Sequence, residues 1–138
     1  MSRPSSSAPI LRLRGLLRRY PLTLCCVALI WYLCLFKPPP TPLDSVSGID
    51  KVAHAVMYLG ACGVFWTEYF RSPFHLSLRS LLGIAVVAPI VMSGGVELCQ
   101  RYLTSCRSGE WADFAANSLG VLLAALLAAC WRNRHHMR

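Results

Sequence analysis

Three short polar clusters stand at the ends of otherwise apolar stretches: Asp50-Lys51-x-x-His54, Glu97-x-x-Gln100, and Arg107 followed by Asp113-x-x-x-Asn117. Ionisable groups are costly at membrane depth, so within a hydrophobic chain they mark a functional site by default. Helical spacing organises them. Asp50, His54 and Tyr58 follow i, i+4, i+8; Glu97 and Gln100 are i, i+3; Asp113 and Asn117 are i, i+4, with Gly120 one turn further. Three carboxylates, an imidazole, Lys51 and Arg107 offer three kinds of chemistry. They can bind a phosphate or carboxylate group, hold a divalent cation through oxygen ligands, or perform acid–base work, with His54, Glu97 and Asp113 as the candidate catalytic groups. Burial is expected to perturb their ionisation, as it does at functional sites.

The elements that must position these residues are helices. Of 138 residues, 55% are hydrophobic and 14% charged, which is the balance of a small membrane protein and not of a soluble domain of this size. Four stretches, about 20–36, 52–70, 78–103 and 111–131, approach or reach the roughly 17–25 residues that a helix needs to cross a hydrocarbon core. The expected fold is all-α, a bundle of four transmembrane helices over residues 20–131. Short basic tails flank it: 1–19, which is Ser/Pro-rich and read as disordered, and 132–138.

A net charge of +8 raises nucleic acid as a partner, but the distribution of that charge indicates topology instead. If four helices alternate, ten basic residues fall on one side (Arg3, Arg12, Arg14, Arg18, Arg19, Arg71, Arg79, Arg132, Arg134 and Arg138). Four fall on the other (Lys37, Lys51, Arg101 and Arg107). The positive-inside bias then places both termini in the cytoplasm, and the tails lack the organisation of a nucleic-acid surface. The second and fourth helices begin outside and the third ends there, so all three polar clusters meet at the extracytoplasmic end. Two helix N-termini, which attract anions, open at the same place.

The apolar run 22–36 follows basic residues without a small-x-small cleavage pattern, as in an uncleaved signal anchor. It carries only Thr23 and Tyr32 as polar positions and is expected to contribute little chemistry. Pro38-Pro39-Pro40-Thr41-Pro42 is a stiff spacer. Ser47-x-x-Asp50 resembles a capping box for the second helix, and Ser108 is a reasonable cap for the fourth. Pro89 with Gly94-Gly95 predicts a bend in the third. Gly60, Gly63, Gly94, Gly95 and Gly120 are candidates for close helix approach.

The seven cysteines form no CxxC pair, and most read as small hydrophobes. Cys99 and Cys106 fall near the outer surface, where a disulfide stays open as an alternative. Glu68, Arg71, Arg79 and Glu110 read as interface anchors. Each cluster residue also has a structural alternative: Asp50 as a helix cap, His54 as internal glue, Glu97 with Arg107 as an ion pair. The spacing contains no nucleophile elbow, no Cys/His metal pattern and no phosphate-cradling glycine loop, so no cofactor is named and no residue is assigned to a metal.

At these residues the chain resembles the VanZ-like family of small bacterial membrane proteins. In that family a D-K-x-x-H opening, an E-x-x-Q helix end and an R…D-x-x-x-N-x-x-G segment recur in this order. The match runs over about residues 20–131. It is carried by Asp50-Lys51-x-x-His54-x-x-x-Tyr58, Glu97-x-x-Gln100, Arg107 and Asp113-x-x-x-Asn117-x-x-Gly120. The cysteine-rich helices and the basic Ser/Pro tail depart from the pattern without touching the motif. The namesake of the family is linked to low-level resistance to the glycopeptide teicoplanin. The resemblance implies a multi-pass protein of the bacterial inner membrane with the lipid bilayer as partner. The outward polar site, made by Asp50, Lys51, His54, Tyr58, Glu97, Gln100, Arg107, Asp113 and Asn117, is expected from its paired helix N-termini, Lys51 and Arg107 to bind an anionic lipid headgroup or a peptidoglycan precursor. The alternatives are a membrane-embedded enzyme using His54, Glu97 and Asp113 as acid, base or metal ligands, and a scaffold of an envelope complex.

Overall fold

The computed structural model describes residues 15, 18–36, 48–73, 75–103 and 109–136. Apart from short connections these are helical, with no strand among the described residues. The elements are α1 (Pro21–Leu35), α2 (Ile49–Arg71), α3 (Leu78–Leu82), a π-helical turn (Gly83–Val87), α4 (Ala88–Leu103) and α5 (Trp111–His136). Because α3, the π turn and α4 run on as one rod, the described residues build four helical rods. Two of them, Leu78–Leu103 and Trp111–Arg134, are long and apolar enough to cross a membrane. α1 is apolar but only 15 residues long. α2 is longer, at 23 residues, but carries Asp50, Lys51, His54, Glu68 and Arg71.

A π turn lies just before Pro89, where the proline is expected to disturb the rod. A proline at position 89 has no N–H, and its ring crowds the carbonyl four residues back, at Ala85. Widening the turn relieves both, and the Ala88 N–H accordingly reaches back five residues to the Gly83 carbonyl. Gly94 and Gly95 lie beyond the wide turn in regular α4.

α2 against α5 forms the most extensive packing, α4 packs on α5, and α1 packs on α2. α2 buries every fourth residue, His54, Tyr58, Cys62 and Trp66, which is the stripe that a helix presents to one neighbour. α5 answers with Asp113, Asn117, Val121, Ala124 and Ala128. The pairing is tight at Gly120, where a Cβ would meet the Ala55 carbonyl oxygen and lie 3.0 Å from the Leu59 nitrogen. Gly94 makes ordinary contact with the Phe114 ring at 3.5 Å, whereas Gly60, Gly63 and Gly95 have nothing within 4 Å. Of the five candidate glycines, only Gly120 lets backbone approach backbone. Gly109, which the spacing did not single out, does so against Glu97.

Early α2 meets early α5, and the aromatic end of α2 meets the far end of α5 at Phe70 and Trp131, so these two helices run in the same direction. α1 is tied by its start to the end of α2 and by its end to α4. The Glu68 carboxylate accepts from Leu22 N–H (2.9 Å), Thr23 N–H (3.0 Å) and the Thr23 hydroxyl (2.6 Å). It thereby caps the α1 N-terminus from another helix. Glu68 is therefore a buried tie and not an interface anchor, and Thr23 gives α1 a structural role that its apolar composition hides.

Candidate functional site

Two helix starts and one helix end converge at one end of the bundle. α2 opens at Gly48, whose left-handed φ of +83° suits glycine. The expected cap at Ser47 lies outside the described residues, and the helix is capped one position later. α5 starts with the Phe114 N–H on the Glu110 carbonyl at 3.3 Å. That makes Glu110 the cap instead of Ser108, which also lies outside the described residues. Asp50 and Asp113 each occupy a first turn, where an acidic group complements the helix dipole.

Asn117 is the centre of the arrangement and is fully buried. Its Nδ2 donates to the Ser93 hydroxyl at 2.9 Å and to Glu97 Oε1 at 3.4 Å. A carboxylate only accepts, so this contact orients the amide. Asn117 Oδ1 then faces His54 Nδ1 at 3.1 Å and must accept from it, which fixes the proton on Nδ1. His54 Nε2 points the other way, toward Asp50 Oδ1 at 3.9 Å and Asp113 Oδ2 at 4.0 Å, both beyond hydrogen-bond length.

Lys51 bridges the rim. Its Nζ lies 2.7 Å from Glu110 Oε2 and 3.0 Å from Asp113 Oδ1. The hydrogen bond to Glu110 and then the close approach of the Asp113 carboxylate, an ion pair without hydrogen-bond geometry, hold the Lys51 ammonium above its ordinary range. The bond from Lys51 holds the Glu110 carboxyl below its ordinary range. Asp50, Lys51 and Glu110 are the half-exposed mouth, with side chains 50%, 37% and 51% exposed. His54, Glu97, Asp113 and Asn117 are the buried floor.

The structure thus brings Asp50, Lys51, His54, Glu97, Asp113 and Asn117 together. Glu97 is set apart from His54 by Asn117, and its second oxygen accepts the Glu110 N–H at 3.2 Å. Gln100 is turned aside, donating to the Cys34 carbonyl of α1 at 2.7 Å. Tyr58 sits one turn below His54. Its ring lines an apolar cavity of about 810 Å³ between α1, α2 and α4. Its hydroxyl lies beside Ser93 without a hydrogen bond of ordinary geometry. Arg107 and Cys106 lie outside the described residues, and with them the Arg107–Glu97 ion pair and the Cys99–Cys106 disulfide.

Sequence reasoning missed two members. Ser93 stands four residues before Glu97, on the same face of α4, and that spacing could have found it. Glu110, read as an interface anchor, is the partner of Lys51; nothing in its local pattern distinguishes it. Comparison of the chain with protein families, curated proteins and solved structures finds no match.

Proposed function

We propose that this chain is a four-span protein of the bacterial inner membrane with both termini in the cytoplasm. Its polar cluster faces outward and binds the phosphate-bearing headgroup of a cell-envelope component, an anionic lipid or a lipid-linked peptidoglycan precursor. The membrane reading is supported by surface composition. Only 28% of the apolar window in each of the two long rods is buried in the protein, unlike the core helix of a soluble domain. Leu78, Val91, Leu119, Leu126 and Leu127 are all more than half exposed. Trp111 and Trp131, both at least half exposed, stand twenty residues apart on α5. That is about 30 Å of helix, the thickness of a hydrocarbon core with an aromatic at each interface. The alternating direction of the rods suits four crossings. Orientation is supported by the described charges. Arg18, Arg19, Arg71, Arg79, Arg132 and Arg134 belong to the end away from the cluster, and Lys51 and Arg101 to the end that carries it.

The observation that carries the binding reading is the graded build of the cluster, a buried floor beneath a half-exposed charged mouth. Polar glue between helices needs no mouth. The α5 N-terminus already holds an anion, since the Glu110 N–H binds the Glu97 carboxylate. Glu110 in turn occupies Lys51 from the solvent side, as a resident stand-in for an external anion. An incoming phosphate would exchange with the Glu110 carboxylate on the Lys51 ammonium, while Asp113 keeps that ammonium in place.

Native mass spectrometry of the full chain in mild detergent tests the reading. A retained anionic phospholipid or a lipid-linked precursor is expected, and the adduct mass distinguishes the two. Lys51→Met should abolish retention, and Glu110→Gln should increase it by removing the competing carboxylate. No adduct after incubation with vesicles of anionic lipid or with precursor, or retention indifferent to both changes, would overturn it. A phosphatase fused after Arg138 should be inactive; an active fusion would reverse the orientation.

A further inference from the structure

The geometry points to a divalent-cation site made by Asp50, His54 and Asp113, a feature independent of what the mouth of the cluster binds. Their ligand atoms all lie within 4.8 Å of one another, with His54 Nε2 3.9 Å from Asp50 Oδ1 and 4.0 Å from Asp113 Oδ2. A first-row cation bound at about 2.0–2.2 Å holds tetrahedral ligands roughly 3.4 Å apart. Coordination therefore needs a shortening of about 0.5 Å on each histidine contact and of up to about 1.4 Å between the two carboxylates. Asp50 is half exposed on the first turn of α2.

The second observation is the imidazole itself. His54 is 4% exposed, and Asn117 takes its Nδ1 proton. The Nε2 edge of the ring then faces the Asp50 and Asp113 carboxylates at 3.9 and 4.0 Å, beyond hydrogen-bond length. His54 and Asp113 are both buried, so a cation between their facing polar atoms would be held largely away from water. The surroundings fit a ligand set. A metal-bound histidine usually donates its other N–H to a fixed acceptor, as His54 does to Asn117, and its carboxylate partners are themselves held. Asp113 is held in this way: Lys51 takes Oδ1 at 3.0 Å and leaves Oδ2 on the histidine side. One imidazole with two carboxylates suits Zn²⁺ or Mn²⁺, and three protein ligands leave a position open for an external oxygen.

The test uses the full chain in mild detergent, treated with chelator, in a His135→Ala/His136→Ala background that removes the imidazole pair near the C-terminal end. Zn²⁺ is titrated by calorimetry and Mn²⁺ by electron paramagnetic resonance. One equivalent of at least one of them is expected to bind, with affinity at least tenfold weaker in Asp50→Asn and in Asp113→Asn and unchanged in His75→Gln. Asp50→Asn decides the matter, because its half-exposed position spares the fold. Nitrogen-15 resonances of His54 should show the cation on Nε2 with Nδ1 still protonated. Absence of saturable binding by both ions, binding unaltered in Asp50→Asn, or a His54 ring still protonated on both nitrogens at saturating Zn²⁺ would overturn the site.

Discussion

Gly120→Ala adds one methyl group at the point where α5 crosses α2. Its Cβ would meet the Ala55 carbonyl oxygen and lie 3.0 Å from the Leu59 nitrogen and 3.1 Å from the Ala55 carbonyl carbon. All three are backbone atoms and cannot rotate away. Ordinary contact needs roughly 3.5–4.0 Å, so the helices must part locally by at least about 1 Å. The His54–Asn117 hydrogen bond, one turn above, is 3.1 Å long. Opening by that amount takes it to about 4 Å, where it ceases to be a hydrogen bond. Overpacking costs about 1–3 kcal/mol, and a buried polar pair left unmade about 1–3 kcal/mol more. The higher helix propensity of alanine returns about 0.5–1 kcal/mol. A net loss of about 2–4 kcal/mol is expected from these terms.

Unfolding of the purified protein in mixed micelles measures that loss, and Gly60→Ala is the control. Gly60 lies in α2 with nothing within 4 Å, so there the propensity gain acts alone. The His54 Nδ1–H resonance gives a second readout, since loss of its acceptor speeds exchange with water. If Gly120→Ala matches Gly60→Ala within about 0.5 kcal/mol and the resonance is unmoved, the close crossing does not position the site.

Asn117→Ala removes the His54 acceptor and a donor to Ser93 and Glu97 together; it should cost at least about 2 kcal/mol in the same unfolding assay. Glu68→Ala removes three hydrogen bonds at the α1 N-terminus and should loosen that helix. Maleimide labelling of Cys34, 1% exposed in the native protein, then rises, as mass spectrometry of peptides would show. The Lys51–Glu110 pair should give a pH signature. Glu110 titrates lower in the folded protein, so its contribution is present above its unfolded value of about 4.3 and is lost as pH falls through the folded value. Lys51 titrates higher, so its contribution is present below about 10.4 and is lost only as pH rises through its folded value. Unfolding midpoints of the wild type and of Glu110→Gln should therefore differ at neutral pH and converge as pH falls through the lowered folded value of Glu110.

What the sequence made legible was periodic. A spacing of four residues put His54 and Tyr58 on one buried face of α2 and Asp113 and Asn117 on one buried face of α5, because helix geometry alone decides which residues share a face. Alternation of the rods decided which ends meet. Partners across helices were not legible. Glu68 and Glu110 are both acidic residues near helix ends, yet one caps α1 from within the bundle and the other latches Lys51 at the rim. That difference rests on the offset and rotation between helices, which are set by contacts such as Gly120 on Ala55 and Gly109 on Glu97. Local pattern is equally silent about glycine. Gly60, Gly63 and Gly120 are alike in sequence, and only the rotation of the neighbouring helix decides which of them needs to lack a side chain.

The degree of satisfaction separates the polar groups that hold this bundle together from those free to act. The Glu68 carboxylate takes three donors, and the Glu97 carboxylate takes a side-chain amide and a backbone amide on its two oxygens. Asn117 uses its oxygen once and its nitrogen twice. Such groups are closed: an added ligand would have to break a buried bond, at the cost of leaving a polar atom unmade. The other half of the same cluster is open. Lys51 shares its ammonium with a carboxylate half exposed at the mouth. His54 Nε2 and Asp113 Oδ2 face each other 4.0 Å apart, too far to bond and near enough for one ion to join them. Glu97 therefore reaches His54 only through Asn117, whose amide it orients. Replacing Glu97 by Gln should disturb the orientation of Asn117 before it changes charge at the mouth, and a His54 ring that loses its fixed Nδ1 proton in that variant would show the order of dependence.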